Sequence, residues 1–103
     1  MNKNDLLLIE FERYLIRKYG TFQKEVVFSK IMDTSRRFRA DYLITEPPTI
    51  IEINGGEWVS GRHNRGSSYG EDLMKSNIAN INGFCYLQFT YTHLKNLDYM
   101  KIL

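Results

Sequence analysis

The sequence has few of the residues that cross-link, rigidify or anchor a chain. Its 103 residues include one cysteine, Cys85, and two prolines, Pro47 and Pro48. A single cysteine excludes an internal disulfide and any Cys-x-x-Cys zinc spacing. No apolar run is long enough to cross a membrane. The length predicts one compact domain with one core, covering residues 1–103.

The sequence also lacks a strong charge of either sign. With 14 Lys and Arg against 12 Asp and Glu, the formal net charge is +2, which by itself does not indicate a nucleic-acid-binding protein. The basic residues are clustered along the chain, however, at Arg36, Arg37, Arg39, Arg62, His63 and Arg65. This distribution permits a polyanionic partner without requiring one.

The residues before Gly20 do not have the pattern expected of a secretion signal. From Met1 the chain leads into a short apolar stretch that Glu10 and Glu12 interrupt, which is neither a signal-peptide core nor a membrane span. We therefore expect a cytoplasmic protein without a membrane partner. Cys85 lies in the apolar run 84–89, which predicts a buried thiol.

Two predicted strands joined by a Pro-Pro turn hold the residues around which the chain is organised. Because strand side chains alternate between two faces, Asp41 shares a face with Arg37 and Arg39, opposite the apolar residues Phe38, Ala40, Tyr42 and Ile44. In the second strand, 49–56, the same alternation groups Glu52 with Ile50. A hairpin then brings Asp41 beside Glu52. Taken singly, each carboxylate is as compatible with a solvated position on an exposed sheet face.

The remaining elements follow from periodicity and capping residues. We predict a helix from Asn4 or Asp5 to Tyr19, a strand within 23–31, an irregular segment over 57–70, a helix over 71–82, a strand buried on both faces over 84–90, and a helix over 93–102 capped by Thr92. The order helix, three strands, helix, strand, helix predicts a one-sheet α/β or α+β domain.

Side-chain spacing assigns a face to each of the first two helices. In the first helix, Glu12 falls inside the apolar arc that includes Ile16, so we expect it to point towards the sheet, whereas Glu10 lies opposite. The alternative for Glu12 is a boundary position where it pairs with a lysine. In the second helix, we expect apolar contacts from Leu73, Ile78 and Ile81, beside a stripe of Asp72, Lys75, Ala79 and Asn82.

The strand carboxylates have the chemistry of a metal site. If Asp41, Glu52 and the backbone carbonyl of Ile53 converge, they form a set of hard oxygen ligands suited to Mg²⁺, which activates water for phosphodiester hydrolysis. A neighbouring lysine would stabilise the developing charge, but the Glu-x-Lys position holds Asn54. Lys75 on the following helix is the best replacement, and its alternative is an exposed helical lysine.

These residues resemble a known family, the PD-(D/E)XK or restriction-endonuclease-like nuclease superfamily, and in particular its small phage-type members. The similar segments are Arg-Phe-Arg-Ala-Asp41, Ile-Glu52-Ile-Asn-Gly-Gly-Glu-Trp, Gly61-Arg62-His63-Asn-Arg65-Gly66, Glu-Asp-Leu-Met-Lys75-Ser-Asn77 and Tyr-Leu-Gln-Phe-Thr. The Gly-Gly-x-Trp…Gly-Arg-His-x-Arg-Gly segment is the most specific. Two departures are the alanine before Asp41, where proline is usual, and Asn54 in the lysine position.

The resemblance implies a restriction-endonuclease-like α/β core with a central mixed four-stranded sheet flanked by helices. It implies a DNA endonuclease that uses Mg²⁺, with Mn²⁺ as a substitute, and that acts in the host cytoplasm if phage-encoded. Asp41 and Glu52 would be metal ligands, and Glu12 the first-helix acid, with Glu10 as the alternative. Lys75 would take the role of the missing lysine.

DNA contacts are expected from basic residues, namely Arg37, Arg39, Arg62, His63 and Arg65. His63 has two further interpretations, as a general base and as a structural loop residue. Cleavage of both DNA strands needs two active sites, which favours a homodimer. The sequence does not select among a branched junction, a nick, a flap and a specific duplex.

Two other functions remain open from the sequence. The first is a DNA-binding module of the same fold that has lost catalysis, which Asn54 favours. The second is a protein-binding domain that uses apolar residues of the terminal helix, Leu94, Leu97, Met100, Ile102 and Leu103.

Overall fold

Four strands form one mixed sheet that carries helices on both faces. The computed structural model describes residues 1–55 and 65–103, of which residues 65–68 are described by their backbone alone. The elements in chain order are α1 (Lys3–Tyr19), β1 (Gln23–Val27), β2 (Arg39–Ile44), β3 (Thr49–Asn54), α2 (Arg65–Ile81), β4 (Cys85–Thr90) and α3 (Tyr91–Lys95), with 3-10 helices at Phe28–Lys30 and Asp98–Lys101. Among the described helices, none is long and apolar enough to cross a membrane.

The strands lie in the sheet in their chain order, β1-β2-β3-β4. The β1–β2 and β2–β3 pairs are antiparallel, whereas β3 and β4 are parallel. A parallel pair needs a crossover connection, and α2 supplies it. The architecture is therefore α/β with a four-stranded mixed sheet flanked by helices, and the element order is the predicted one.

Apolar clusters cover both faces of this sheet. The α1-side cluster joins the sheet to α1, α3 and the C-terminal residues through Phe11, Leu15, Tyr42, Ile44, Ile51, Phe89, Leu94, Tyr99 and Leu103. The α2-side cluster joins it to α2 and the first 3-10 helix through Phe28, Ala40, Leu43, Ile50 and Ala79. Since β2 and β3 contribute to both clusters, the hairpin that carries the candidate site is the most enclosed part of the sheet.

One prediction about the faces of β2 is wrong. Phe38 and Ala40 pack in the α2-side cluster, whereas Tyr42 packs in the α1-side cluster. The change of side occurs at Asp41. In the β1–β2 register, Asp41 and Glu25 lie opposite each other, between the Lys24–Tyr42 and Val26–Ala40 pairs. Glu25 has a φ of 56°, in the left-handed region. A residue in this conformation interrupts the regular pleat, so the period-two alternation does not continue through the strand.

Helix α1 begins earlier than predicted. Asn2 caps it, with its side chain accepting from the Asp5 N–H at 2.8 Å, so the predicted caps Asn4 and Asp5 lie within the helix. Gly20 follows the last turn, as expected, with a φ of 85°. Ile16, which the wheel placed in the apolar arc, is 53% exposed, because the buried stripe of α1 is narrower than the arc.

Helix α2 begins at Arg65, so the last part of the segment predicted to be irregular over 57–70 is helical, and residues 56–64 lie outside the described residues. Among residues 69–81 of this helix, Ala79 from the polar stripe is buried, and Ile78 packs beside it as expected. Leu73 and Ile81, which were expected to pack, are 47% and 85% exposed. The small side chain of Ala79 lets the stripe that also carries Lys75 approach the sheet.

The last elements differ from prediction in extent and burial. β4 is an edge strand with only Phe89 buried, and Cys85 at its start is exposed. α3 is capped by Thr90, not Thr92, and ends at Lys95. Leu97, with a φ of 60°, separates α3 from the 3-10 helix, so the predicted helix over 93–102 is two short helices.

Two glycines, Gly20 just after α1 and Gly70 inside α2, predict opposite effects of one substitution. Gly20→Ala forces a β-carbon into a left-handed conformation and is expected to lower the free energy of unfolding by about 1 kcal/mol. Gly70→Ala, inside α2 with no atom near the new β-carbon, is expected to raise it by about 0.7 kcal/mol. Urea denaturation followed by circular dichroism measures both. Equal effects of the two variants would contradict this assignment of backbone strain.

Candidate active site

The β2–β3 hairpin fixes the two strand carboxylates against each other. The register pairs Tyr42 with Ile51, which makes Asp41 and Glu52 the next opposed positions. The Asp41 N–H donates to Glu52 Oε2 at 3.1 Å, and the Ile53 N–H donates to Asp41 Oδ2 at 2.8 Å. Each carboxylate is thus held by a backbone donor of the other strand, so the juxtaposition predicted from the hairpin is present.

Lys75 of α2 joins this pair from the helix above the sheet. Its ammonium lies 2.6 Å from Glu52 Oε1, and the side chains of Lys75 and Glu52 are only 16% and 11% exposed. The Lys75 ammonium also lies 5.9 Å from the centre of the Phe28 ring. The alternative of an exposed helical lysine is therefore wrong for Lys75. We call Asp41, Glu52 and Lys75 the carboxylate–lysine cluster.

Asn54 lies at the end of β3 and has a different environment. Its side chain is exposed, and its amide donates to Gln88 Oε1 of β4 at 3.0 Å. It makes no contact with the carboxylate–lysine cluster among the described hydrogen bonds. The positive charge next to Glu52 therefore comes from Lys75 of α2. The Glu-x-Lys position itself, occupied by Asn54, lies on β3.

Burial governs the electrostatics of the cluster. Desolvation raises the pKa of Glu52 above its ordinary value, the charge and hydrogen bond of Lys75 oppose that rise, and the nearby Asp41 charge adds to it. Burial, and then the charges of Glu52, Asp72 and Asp41, raise the pKa of the Tyr86 phenol on β4. Its hydroxyl is therefore neutral.

Glu12 points towards the sheet but is bound to other residues. Its Oε2 accepts from the Tyr42 hydroxyl at 2.6 Å and lies 3.1 Å from the Lys24 ammonium. Both expectations for Glu12, that it points inward and that it pairs with a lysine, are met together. Glu10 is exposed on another side of α1, where its charge acts on Tyr99, so Glu12 is the first-helix acid that faces the sheet.

The Tyr42–Glu12 hydrogen bond has a measurable expected contribution. Burial and Glu12 both raise the pKa of the Tyr42 phenol, so the hydroxyl remains a donor. Tyr42→Phe removes it and is expected to lower the free energy of unfolding by about 1.5 kcal/mol, measured by urea denaturation. Tyr69→Phe, on an exposed position of α2, is the matched control and should change it little. Equal effects of the two variants would show that the bond does not stabilise the fold.

The basic residues predicted to contact DNA are distributed unevenly. Arg37 is exposed, and Arg39 is exposed and lies 3.2 Å from Glu25 Oε1. Arg65 is the first residue of α2, with only its backbone described. Arg62 and His63 fall within 56–64, outside the described residues, so the DNA contacts predicted for them stay predictions.

A cavity of about 280 Å³ lies on the α1 side of the hairpin, next to the carboxylate–lysine cluster. Its walls come from five elements, and the lining residues are Leu8, Lys24, Glu25, Asp41, Tyr42, Ile53 and Tyr91. Sequence reasoning identified Asp41 and Ile53 but missed Lys24 and Tyr91. For Lys24 the available signal was the lysine partner expected for Glu12; for Tyr91 the sequence gives none, because it enters the site only through the position of α3.

The oxygen donors of the cluster are chemically suited to a partly hydrated divalent metal ion, and three of the four carboxylate oxygens of Asp41 and Glu52 also accept from Lys75 or from a backbone N–H. Asp41, Glu52 and the carbonyl of Ile53 offer hard oxygens, and Mg²⁺ typically takes one or two carboxylates and keeps several waters. Within residues 1–55 and 65–103, no three His, Cys, Asp or Glu side chains gather to form a larger cage. A cation would also offset the burial of the Glu52 carboxylate. No family model, curated protein or solved structure matches this chain, so its function is inferred from these residues themselves.

Proposed function

We propose that this chain is a metal-dependent DNA endonuclease of the PD-(D/E)XK superfamily, with the restriction-endonuclease-like fold. The observation that carries the proposal is the carboxylate–lysine cluster, in which the buried Glu52 binds Lys75 at 2.6 Å and the Asp41 N–H at 3.1 Å. An acidic pair held on a hairpin, with a lysine beside it, is a set of groups suited to the hydrolysis of a phosphodiester. Mg²⁺ is the proposed cofactor, and Mn²⁺ is expected to replace it.

Each residue of the cluster has a defined part in this chemistry. Asp41, Glu52 and the Ile53 carbonyl would hold the ion. When bound, the ion would neutralise phosphate charge and lower the pKa of a coordinated water. The Lys75 ammonium, which donates to Glu52 Oε1 at 2.6 Å, would also donate to a non-bridging phosphate oxygen and stabilise the negative charge that develops as water adds and the ester oxygen leaves. Glu12 holds Lys24 and Tyr42 in place beside the cluster.

The basic residues supply the affinity for DNA in this proposal. Arg37 and Arg39 are exposed on the Asp41 strand and its approach, where they can neutralise phosphates. Arg62, His63 and Arg65 are proposed to extend this contact. Since each neutralised phosphate releases counterions, affinity is expected to fall steeply with salt.

One observation favours a second candidate, a DNA-binding module without catalysis. The Lys75–Glu52 pair is nearly buried, and such a pair can be kept to stabilise α2 on the sheet, with Asn54 as the trace of a lost lysine. This candidate predicts DNA binding through the same arginines and no cleavage with any metal ion.

Cleavage assays decide between the two candidates. Purified protein is incubated with supercoiled, linear and branched DNA in Mg²⁺, Mn²⁺ or EDTA, beside Asp41→Ala and the control Asp33→Asn. Asp33 is an exposed acid of the turn before β2, and its N–H donates to Asn82. The endonuclease proposal expects metal-dependent products from wild type and Asp33→Asn only. If wild type and Asp41→Ala are equally inert, the proposal is wrong, and binding without cleavage then favours the inactive module.

A homodimer belongs to the same proposal, because cleavage of both strands calls for two active sites and this small chain has one. Sedimentation velocity, with and without a duplex, measures the assembly. A protein that stays monomeric on DNA while it cuts both strands at one position would contradict it.

A further inference from the structure

The carboxylate–lysine cluster does not account for the cavity on the α1 side of the hairpin. Asp41 and Ile53 line it, so an occupant touches residues of the candidate active site. Its other walls belong to elements outside the cluster, including Leu8 of α1 and Tyr91 of α3. The cavity of about 280 Å³ admits a single planar group and its attached sugar, and is far too small for a stacked base pair.

The walls of the cavity combine the groups that bind an unstacked nucleotide. Tyr91 and Leu8 offer an aromatic and an aliphatic surface. Lys24 offers an ammonium on a side chain that is 54% exposed, and Glu12 binds that ammonium at 3.1 Å. Two carboxylates also line the cavity: Glu25, which pairs with Arg39 at 3.2 Å, and Asp41, the proposed metal ligand. Proteins that bind single-stranded nucleic acid use this pairing, with aromatic rings for the bases and cationic groups for the backbone.

Tyr91 is held in place by a close backbone contact. A β-carbon at Gly55 would meet Tyr91 Cε2 at 3.1 Å, so the absence of a side chain at Gly55 gives the ring its position. Tyr91 also packs against the α1-side cluster. A ring that is fixed before binding loses little conformational freedom on stacking, which favours binding.

We propose that this cavity binds one unpaired nucleotide of single-stranded DNA, with the base on Tyr91 and the phosphate at Lys24. The inference rests on the proposed nuclease function and narrows its substrate class to DNA that has an unpaired segment beside the cut, such as a flap or a branch point. An intact duplex keeps its bases stacked and cannot fill the cavity without extruding one.

Fluorescence anisotropy in EDTA tests binding without cleavage. The probes are a labelled single strand of about 15 nucleotides, the matching duplex, and that duplex with an unpaired flap. Wild type is expected to bind the single strand and the flap tighter than the duplex. Tyr91→Leu should weaken binding of the single strand by about 5- to 100-fold, whereas Tyr69→Leu, an exposed tyrosine of α2, should not.

Further variants keep the test valid if Tyr91→Leu unfolds. Tyr91→Phe retains the ring and should bind like wild type, while Gly55→Ala displaces the ring and should weaken binding of the single strand. Thermal melts report the folded fraction of each variant. Equal affinity for single strand and duplex, or unchanged binding by folded Tyr91→Leu and Gly55→Ala, would overturn the inference.

These outcomes are separable from those of the proposed function. Metal-dependent cleavage of duplex DNA with no preference for unpaired strands would leave the nuclease proposal intact and refute the assignment of the cavity. Selective binding of the single strand through Tyr91, without cleavage in Mg²⁺ or Mn²⁺, would support the cavity and refute the nuclease.

Discussion

Replacing Lys75 with methionine is expected to lower the free energy of unfolding by about 3–5 kcal/mol at neutral pH. Methionine keeps much of the aliphatic volume but removes the ammonium that lies 2.6 Å from Glu52 Oε1. The Glu52 side chain is 11% exposed, so water does not replace the lost partner, and the Asp41 N–H is left as its donor. Urea denaturation followed by circular dichroism measures the loss.

The loss is expected to shrink as the pH falls. Burial raises the pKa of Glu52, and Lys75 opposes that rise, so the pKa of the folded variant lies higher than that of the wild type. A carboxyl whose pKa is raised on folding stabilises the fold in its protonated form. This stabilisation is fully present below the unfolded pKa and is lost as the pH rises through the folded pKa. Acidification through that interval should therefore restore stability to Lys75→Met more than to wild type.

Two variants control this experiment. Lys24→Met breaks a more exposed ion pair, with side chains 54% and 23% exposed, and should cost under about 1 kcal/mol. Glu52→Gln added to Lys75→Met removes the unpaired charge and should recover part of the loss. A small loss for Lys75→Met that does not vary with pH would mean that Glu52 is solvated and that the cluster is not enclosed.

The hairpin was predictable because its signals are local. A Pro-Pro turn between two apolar strands sets the pairing, and the pairing opposes Asp41 and Glu52. The faces of β2 were not predictable in full, because Glu25, opposite Asp41 in the β1–β2 pair, has a left-handed conformation that a glutamate in the sequence does not predict. The burial predicted for Cys85 failed for a similar reason, since only the order of strands makes β4 an edge.

The face of α2 shows a second limit of pattern reasoning. Two adjacent stripes of α2 could have packed on the sheet: one carries Leu73 and Ile81, and the other carries Lys75 and Ala79. Hydrophobicity favoured the first, but the second packs on the sheet, because a small residue permits close approach and the Lys75 charge has a buried partner in Glu52. Which stripe packs on the sheet depends on Glu52, the long-range partner of Lys75. The pattern of residues around Glu52 does not indicate how deeply its carboxylate is buried.

The cleavage rate of Lys75→Met is expected to fall by about 10²- to 10³-fold in kcat, with a smaller effect on KM. In the proposed mechanism the Lys75 ammonium acts on charge that develops during the reaction, so its removal is expected to raise mainly the free energy of the transition state. The assay uses a flap or branched DNA in Mg²⁺, at a temperature where thermal melts show the variant to be folded. Wild-type activity in folded Lys75→Met would show that Lys75 only stabilises the fold.

Adding Asn54→Lys to Lys75→Met is expected to restore part of the lost rate. Asn54 lies two residues after Glu52 in β3, and its exposed side chain leaves room for a longer one. Because positions 52 and 54 share a face of β3, a lysine at position 54 is expected to approach from the strand the Glu52 carboxylate that Lys75 binds from α2. Asn54→Met in the same background is the matched control and should restore nothing. Rescue by Asn54→Lys and not by Asn54→Met would identify the positive charge next to Glu52 as the catalytic requirement, whichever element carries it. Equal rates for the two double variants would show that a lysine at position 54 does not replace Lys75.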